Sequence, residues 1–240
     1  MSIEYNPEYI HHRNHGLSTT VREVVFGMED GMVSTLGAIT GIAASVQDHF
    51  TVILAGFVIV SVESISMAVG SFLSSKSKRV IDERKIAEEK IEIKKFPKDE
   101  KNELFDMYVD DGWPKDLAAK MAEEAAKDEA LLLKEMTYRE LKVDTENFEK
   151  PFRNGSFMFF SYIAGGTIPL VPYLLFQMHL AIVISVVTTL IGLFFLGVAT
   201  TRYSKRKWWL AGLEMLGLAS VAAIVGYAVG QAVDNFFLQK

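Results

Sequence analysis

From Asn154 to Thr201 the chain carries no Asp, Glu, Lys or Arg. An uncharged run of that length cannot be the exterior of a water-soluble fold. A helix needs about 20 mostly apolar residues to cross the hydrocarbon core of a bilayer, so the run is long enough for two crossings. Pro169, Pro172 and His179 mark the expected break between them, giving spans over about Gly155–Gln177 and Leu180–Thr201. A third apolar stretch covers Trp208–Val233, and two more lie upstream at about Val24–Val46 and Val52–Ser75. The upstream pair is less clean, because it contains Glu29, Asp30 and Glu63.

The charges are gathered between these stretches. Residues 76–150 hold 17 Lys/Arg and 21 Asp/Glu of the 25 and 30 in the whole chain. Apolar, then highly charged, then apolar again is not the interleaved pattern of one soluble core. The expected organisation is a leader over 1–23, two spans over 24–75, a charged insert over 76–150 and three spans over 151–235. The net charge of −5 gives no reason to expect nucleic acid as partner. The absence of cysteine excludes disulfides and thiolate metal ligands. The first residues have no apolar core of a cleavable signal, so insertion is expected to rest on the spans themselves.

Lys and Arg placement orients the spans. Arg13, Arg22, Lys76, Lys78, Arg79, Arg153, Arg202, Lys205, Arg206 and Lys207 all fall on one side if the leader is cytoplasmic. The loops 47–51 and 173–179 contain no Lys or Arg. Five spans then place the C-terminus on the far side, and the insert becomes cytoplasmic. Span 2 is expected to continue as a helix past Lys76 until Pro97. Helices over Asp99–Asp111, Lys115–Lys127 and Glu129–Val143 follow, with Leu104, Phe105 and Tyr108 turned inward. The expected fold is all-α throughout.

Ionisable residues inside a span cost about 3 kcal/mol or more to insert and mark functional sites. Asp30 lies about two turns into span 1, and Glu63 sits in the middle of span 2. Glu63 and Met67 are four residues apart and share a helix face. Asp30, Ser34, Gly37 and Gly41 form a matching stripe on span 1, the two glycines suiting close helix contact. Two carboxylates and a thioether suit a transition metal better than carboxylates alone. Glu29 reads equally well as a group facing interfacial water; Glu63 is too deep for that, and a structural hydrogen bond to a neighbouring helix is its lesser alternative. Glu214 is expected to pair with the basic loop before it.

In the insert, Glu89/Glu92 and Glu100/Glu103 are pairs three apart, with Asp106 and Asp110 on the same face. Met136/Glu140 is a pair four apart. By pattern alone a solvated charged face is the first reading and a divalent-metal site the second. The histidines are at 11, 12, 15, 49 and 179, so the Glu-x-x-His pairs of a ferritin-like di-iron site are absent. No Ser/His/Asp set and no Gly-rich phosphate loop is present, so catalysis is not expected.

Three segments carry a family resemblance: Val21–Gly27 leading into Asp30-Gly31, Ile65–Leu73, and Gly165–Tyr173. With the five-span layout and the acidic insert, the chain resembles the vacuolar iron transporter family, which includes yeast-type iron/manganese transporters and bacterial homologues. The resemblance implies a homodimer with the ion path between the first spans, exchanging cytoplasmic Fe²⁺, and often Mn²⁺, for protons. Co²⁺ and Zn²⁺ are further candidate cargoes, and no prosthetic group is expected. Asp30 and Met67 fall on the family's pathway positions. Glu89, Glu92, Glu100, Glu103, Met136 and Glu140 fall on its cytoplasmic metal-binding positions. Two departures stand out. Plant-type members carry a glutamate where this chain has Ile59, its own acid being Glu63 one turn later, and Thr137 replaces a second methionine beside Met136. The host membrane is expected to be the cell membrane in a prokaryote and the vacuolar membrane in a eukaryote. The rival reading is a membrane metal sensor or buffer that binds ions in the insert without moving them.

Overall fold

The computed structural model describes residues 15–46, 48–143 and 148–233. Among these, every regular element is an α-helix and there is no strand. The leader's His11 and His12, together with Lys240, lie outside the described residues.

Eight helices follow one another: α1 (His15–Ser45), α2 (His49–Lys95), α3 (Pro97–Asp110), α4 (Lys115–Ala125), α5 (Glu129–Arg139), α6 (Pro151–Leu175), α7 (Met178–Ser204) and α8 (Trp208–Val233). They divide into two compact units, Met1–Phe72 with Pro151–Lys240, and Leu73–Lys150. Among the described residues, three helices are long and apolar enough to cross a membrane: α2, α6 and α7.

In the first unit α1 packs on α6, α7 and α8, while α6 packs on α7 and α7 on α8. Met32, Leu193 and Leu196 form one buried apolar cluster there, and Ile39, Ala43, Val52, Tyr173 and Ala181 form another. Large apolar side chains such as Phe57, Phe160, Val183 and Phe195 stand open on the outside. That is the reverse of a soluble surface and what a lipid solvent requires.

The break between α6 and α7 falls close to Gln177, where the expected span bounds place it. Pro169 and Pro172 lie inside α6, and the chain turns only at Phe176 and Gln177. Each proline removes one backbone donor, and close neighbours support the region. The Ser185 hydroxyl donates to the Pro169 carbonyl at 2.7 Å in a buried position.

In the second unit α2 continues unbroken to Lys95, having no Gly or Pro from Lys76 onward. α2 stops just before Pro97 as expected, and Pro97 also opens α3, where its fixed φ suits a first helical turn. Gly112 takes a positive φ of 95° between α3 and α4, a conformation that favours glycine. Asp128 caps α5 by accepting from the Ala130 amide at 2.8 Å. Ile93, Leu104, Tyr108, Ala118, Ala122, Ala125, Leu132 and Met136 form the core. Leu104 and Tyr108 are thus inward as expected, with Phe105 packed at the margin.

Candidate functional site

Close backbone contact fixes the turn of α1 that bears Asp30. A β-carbon on Gly31 would stand 2.9 Å from the Gly166 amide nitrogen and closer still to the Tyr162 carbonyl. One on Gly165 would collide with the backbone of Met28, and one on Gly27 would stand 3.0 Å from the Met158 carbonyl. Glycines on both helices therefore let α1 and α6 meet backbone to backbone at the level of Asp30. The Ser34 hydroxyl donates to the Asp30 carbonyl at 2.6 Å and lies 2.6 Å from the Tyr162 hydroxyl. Tyr162 is fully buried. One proton on each hydroxyl satisfies both bonds, with Tyr162 donating to Ser34.

The Asp30 side chain is half-buried and close enough to Glu63 for the two charges to interact. Glu63 is exposed on α2, and Met67, one turn further on, is half-buried. Asp30 on α1 and Glu63 on α2 are thus near enough to interact electrostatically, and Met67 follows Glu63 by one turn on α2. Ile59, one turn before Glu63 on α2, is also half-buried. Glu29 lies near Asp30 and Glu214. Glu214 pairs with Arg206 at 3.0 Å, as the sequence suggested.

A further carboxylate lies toward the start of α1. Glu23 is 4% exposed, and each of its oxygens accepts from a protein donor. Arg22 Nη2 donates to Oε1 at 2.7 Å and the Ser71 hydroxyl donates to Oε2 at 2.7 Å.

The insert places its acids unevenly. Glu89 is 2% exposed and Glu100 is 7% exposed, and each keeps one buried carboxylate oxygen without a hydrogen-bond partner. Met136 is fully buried, whereas Glu92, Glu103 and Glu140 are exposed. Burial, then the charges of Glu140 and Glu100, push the Glu89 carboxyl up to about 8. Glu100 and Glu140 are also raised, chiefly by burial, with Glu103 and Glu92 adding to both. Five of the predicted acids therefore act on one another around the buried Glu89. They do not close into a finished ligand sphere: among the described residues no three His, Cys, Asp or Glu side chains stand in metal-holding geometry. Protonation of the buried acids relieves the repulsion that gathering them creates.

Alongside, Arg139 clamps α5 to α3. Its guanidinium pairs with Asp111, donates to Glu135 at 3.0 Å and lies 4.4 Å from the Tyr108 ring centroid. The Tyr108 hydroxyl donates to the same Glu135 carboxylate at 3.1 Å.

Sequence reasoning missed Tyr162 and Glu23. Each had a signal, a tyrosine within an apolar span and an acid in the Val21–Gly27 segment. Neither signal identifies a partner on another helix.

These features define a helical membrane protein with ionisable side chains built into its apolar helices. The chain belongs to the VIT family, whose model matches residues 21–231. It is 26% identical over 236 residues to the vacuolar iron transporter of Centaurea cyanus, covering 94% of each chain. To vacuolar iron transporter 1 of Arabidopsis thaliana it is 25% identical over 216 residues, covering 90% of this chain and 86% of the relative. The vacuolar iron transporter of Plasmodium falciparum is 25% identical over 238 residues, with 94% and 86% covered.

Proposed function

We propose that the chain is a proton-coupled transporter that moves divalent metal, Fe²⁺ and Mn²⁺ foremost, out of the cytoplasm. The observation that carries this reading is the pair Asp30 on α1 and Glu63 on the apolar α2, near enough to interact electrostatically, with Met67 one turn from Glu63 on the same helix. Such groups are costly in a bilayer unless they serve an ion. Hard oxygen with a softer thioether suits first-row transition metals. The relatives' names point the same way.

Five spans with a cytoplasmic insert agree with the Lys/Arg distribution. The insert, with Glu89, Glu92, Glu100, Glu103, Met136 and Glu140, collects metal, and Asp30, Glu63 and Met67 pass it across. A proton arriving from the opposite side neutralises a carboxylate and releases the ion, because a neutral acid is a poor ligand. The exposure of Glu63 in a single chain supports a homodimer, since a second copy would shield a charge otherwise facing lipid.

The test is metal uptake into proteoliposomes containing the purified chain. Asp30→Ala and Met67→Ala are each expected to lower the initial rate at least about tenfold, the lower end of what lost metal-site interactions cost. Rates like wild type in both variants would rule out this path. Metal binding without flux in the wild type would instead favour a sensor or buffer.

A further inference from the structure

We infer that Glu23 is a positioning residue for the ion path, its hydrogen bond to Ser71 setting the register of α1 against α2. The inference rests on the transport reading, because it assigns Glu23 to the alignment of Asp30, Met67 and Glu63.

The argument starts from the cost of the side chain. A carboxylate 4% exposed is retained only when its oxygens are satisfied. Here Arg22 holds one oxygen and Ser71 the other, each at 2.7 Å. Each oxygen of Glu23 is thus committed to a protein donor. The bond to Ser71 joins two helices 48 positions apart in sequence.

Helix geometry turns that bond into a register. α1 and α2 are joined by the short segment between Ser45 and His49 and run in opposite directions. Placing Glu23 level with Ser71, a rise of ~1.5 Å per residue fixes every deeper level. Met67 comes level with Gly27 about 6 Å further in. Asp30 comes level with Ser64, beside Glu63, about 10 Å in. The charge interaction between Asp30 and Glu63 agrees with that alignment.

The glycine contacts hold α1 against α6 at the level of Asp30, and Gly155 of α6 stands against Ala68 and Phe72 of α2. The Glu23–Ser71 bond joins α1 to α2 directly, and a polar contact of this kind selects one register where apolar contacts would tolerate several. A slip by one turn would move Asp30 by ~5.4 Å, from the level of Glu63 to that of Met67 or beyond.

The test measures Mn²⁺ uptake into proteoliposomes of the full chain at varied metal concentration. Wild type and Asp30→Ala are run first, then Ser71→Ala, Glu23→Leu, Glu23→Gln and the double variant Glu23→Leu/Ser71→Ala. Flux in the wild type that Asp30→Ala abolishes keeps the transport reading. Absence of flux in the wild type overturns that reading and this inference with it.

Ser71→Ala and Glu23→Leu are expected to lower the maximal rate about tenfold, within the range that ångström-scale misplacement produces. The metal concentration for half-maximal rate should change little. The double variant should be no slower than the slower single variant, since both remove one interaction. Glu23→Gln should recover most of the rate, because its amide oxygen still accepts the Ser71 proton. The thermal midpoint of Ser71→Ala measures its folding independently of flux. A normal maximal rate in Ser71→Ala overturns the inference. So does a Glu23→Gln variant as slow as Glu23→Leu, which would make the charge, and not the hydrogen bond, the required feature.

Discussion

Glu89 holds its carboxyl group where water scarcely reaches, beside Glu100 and Glu140. Its folded-state pKa is raised from 4.5 to about 8, so the metal-free fold binds more protons than the unfolded chain between those values. Stability therefore falls as pH rises through that window and levels off above it. Thermal unfolding of the metal-free protein should show a lower midpoint at pH 8 than at pH 5, and Glu89→Gln should flatten the difference. A midpoint insensitive to pH in the wild type would contradict the burial argument. At pH 7 a divalent ion that recruits Glu89 must displace its proton. The binding heat should accordingly vary with the ionisation heat of the buffer, and Glu89→Gln should remove that variation. At this scale, Asp30 and Glu63 stand out in the sequence because a charge inside a span has a known cost. Glu23 and Tyr162 do not, since their roles depend on Ser71 and Ser34, which only the fold brings near.

Helix contacts make a separate set of claims. Gly165 meets the Met28 backbone and Gly31 meets Tyr162 and Gly166, so α1 and α6 touch where side chains are absent. Gly165→Ala should lower stability by about 1–3 kcal/mol through overpacking, seen as a reduced melting temperature in detergent and a reduced flux. Gly217→Ala is the control: nothing lies within 4 Å of a β-carbon there. Its melting temperature should be unchanged or slightly higher, as for a helical glycine replaced without a clash. The run of α2 past Lys76 was legible, because no breaker interrupts it. The course of α6 through Pro169 and Pro172 to about Gln177 was legible as well, from the length of the uncharged run. A proline normally signals a break, and here the Ser185 hydroxyl supports the Pro169 carbonyl inside the helix. The outward charge pattern of the insert was legible too. The burial of Glu89, Glu100 and Met136 was not, because a pattern of acids three and four apart does not say which of them the core takes in.

For the whole molecule, a layout of apolar, charged and apolar segments pointed to helices in a membrane, and α2, α6 and α7 have the length and apolarity for it. The remaining claims concern direction and partner. If a second copy covers Glu63, the protein in mild detergent should have the mass of two chains by light scattering. The measurement that bears most directly on the account is Mn²⁺ uptake into proteoliposomes under an imposed pH gradient. Uptake is expected to accelerate when the interior is acid and slow when the gradient is reversed, with Asp30→Ala losing both the flux and its gradient dependence. Flux independent of the gradient, or undiminished in Asp30→Ala, would contradict it.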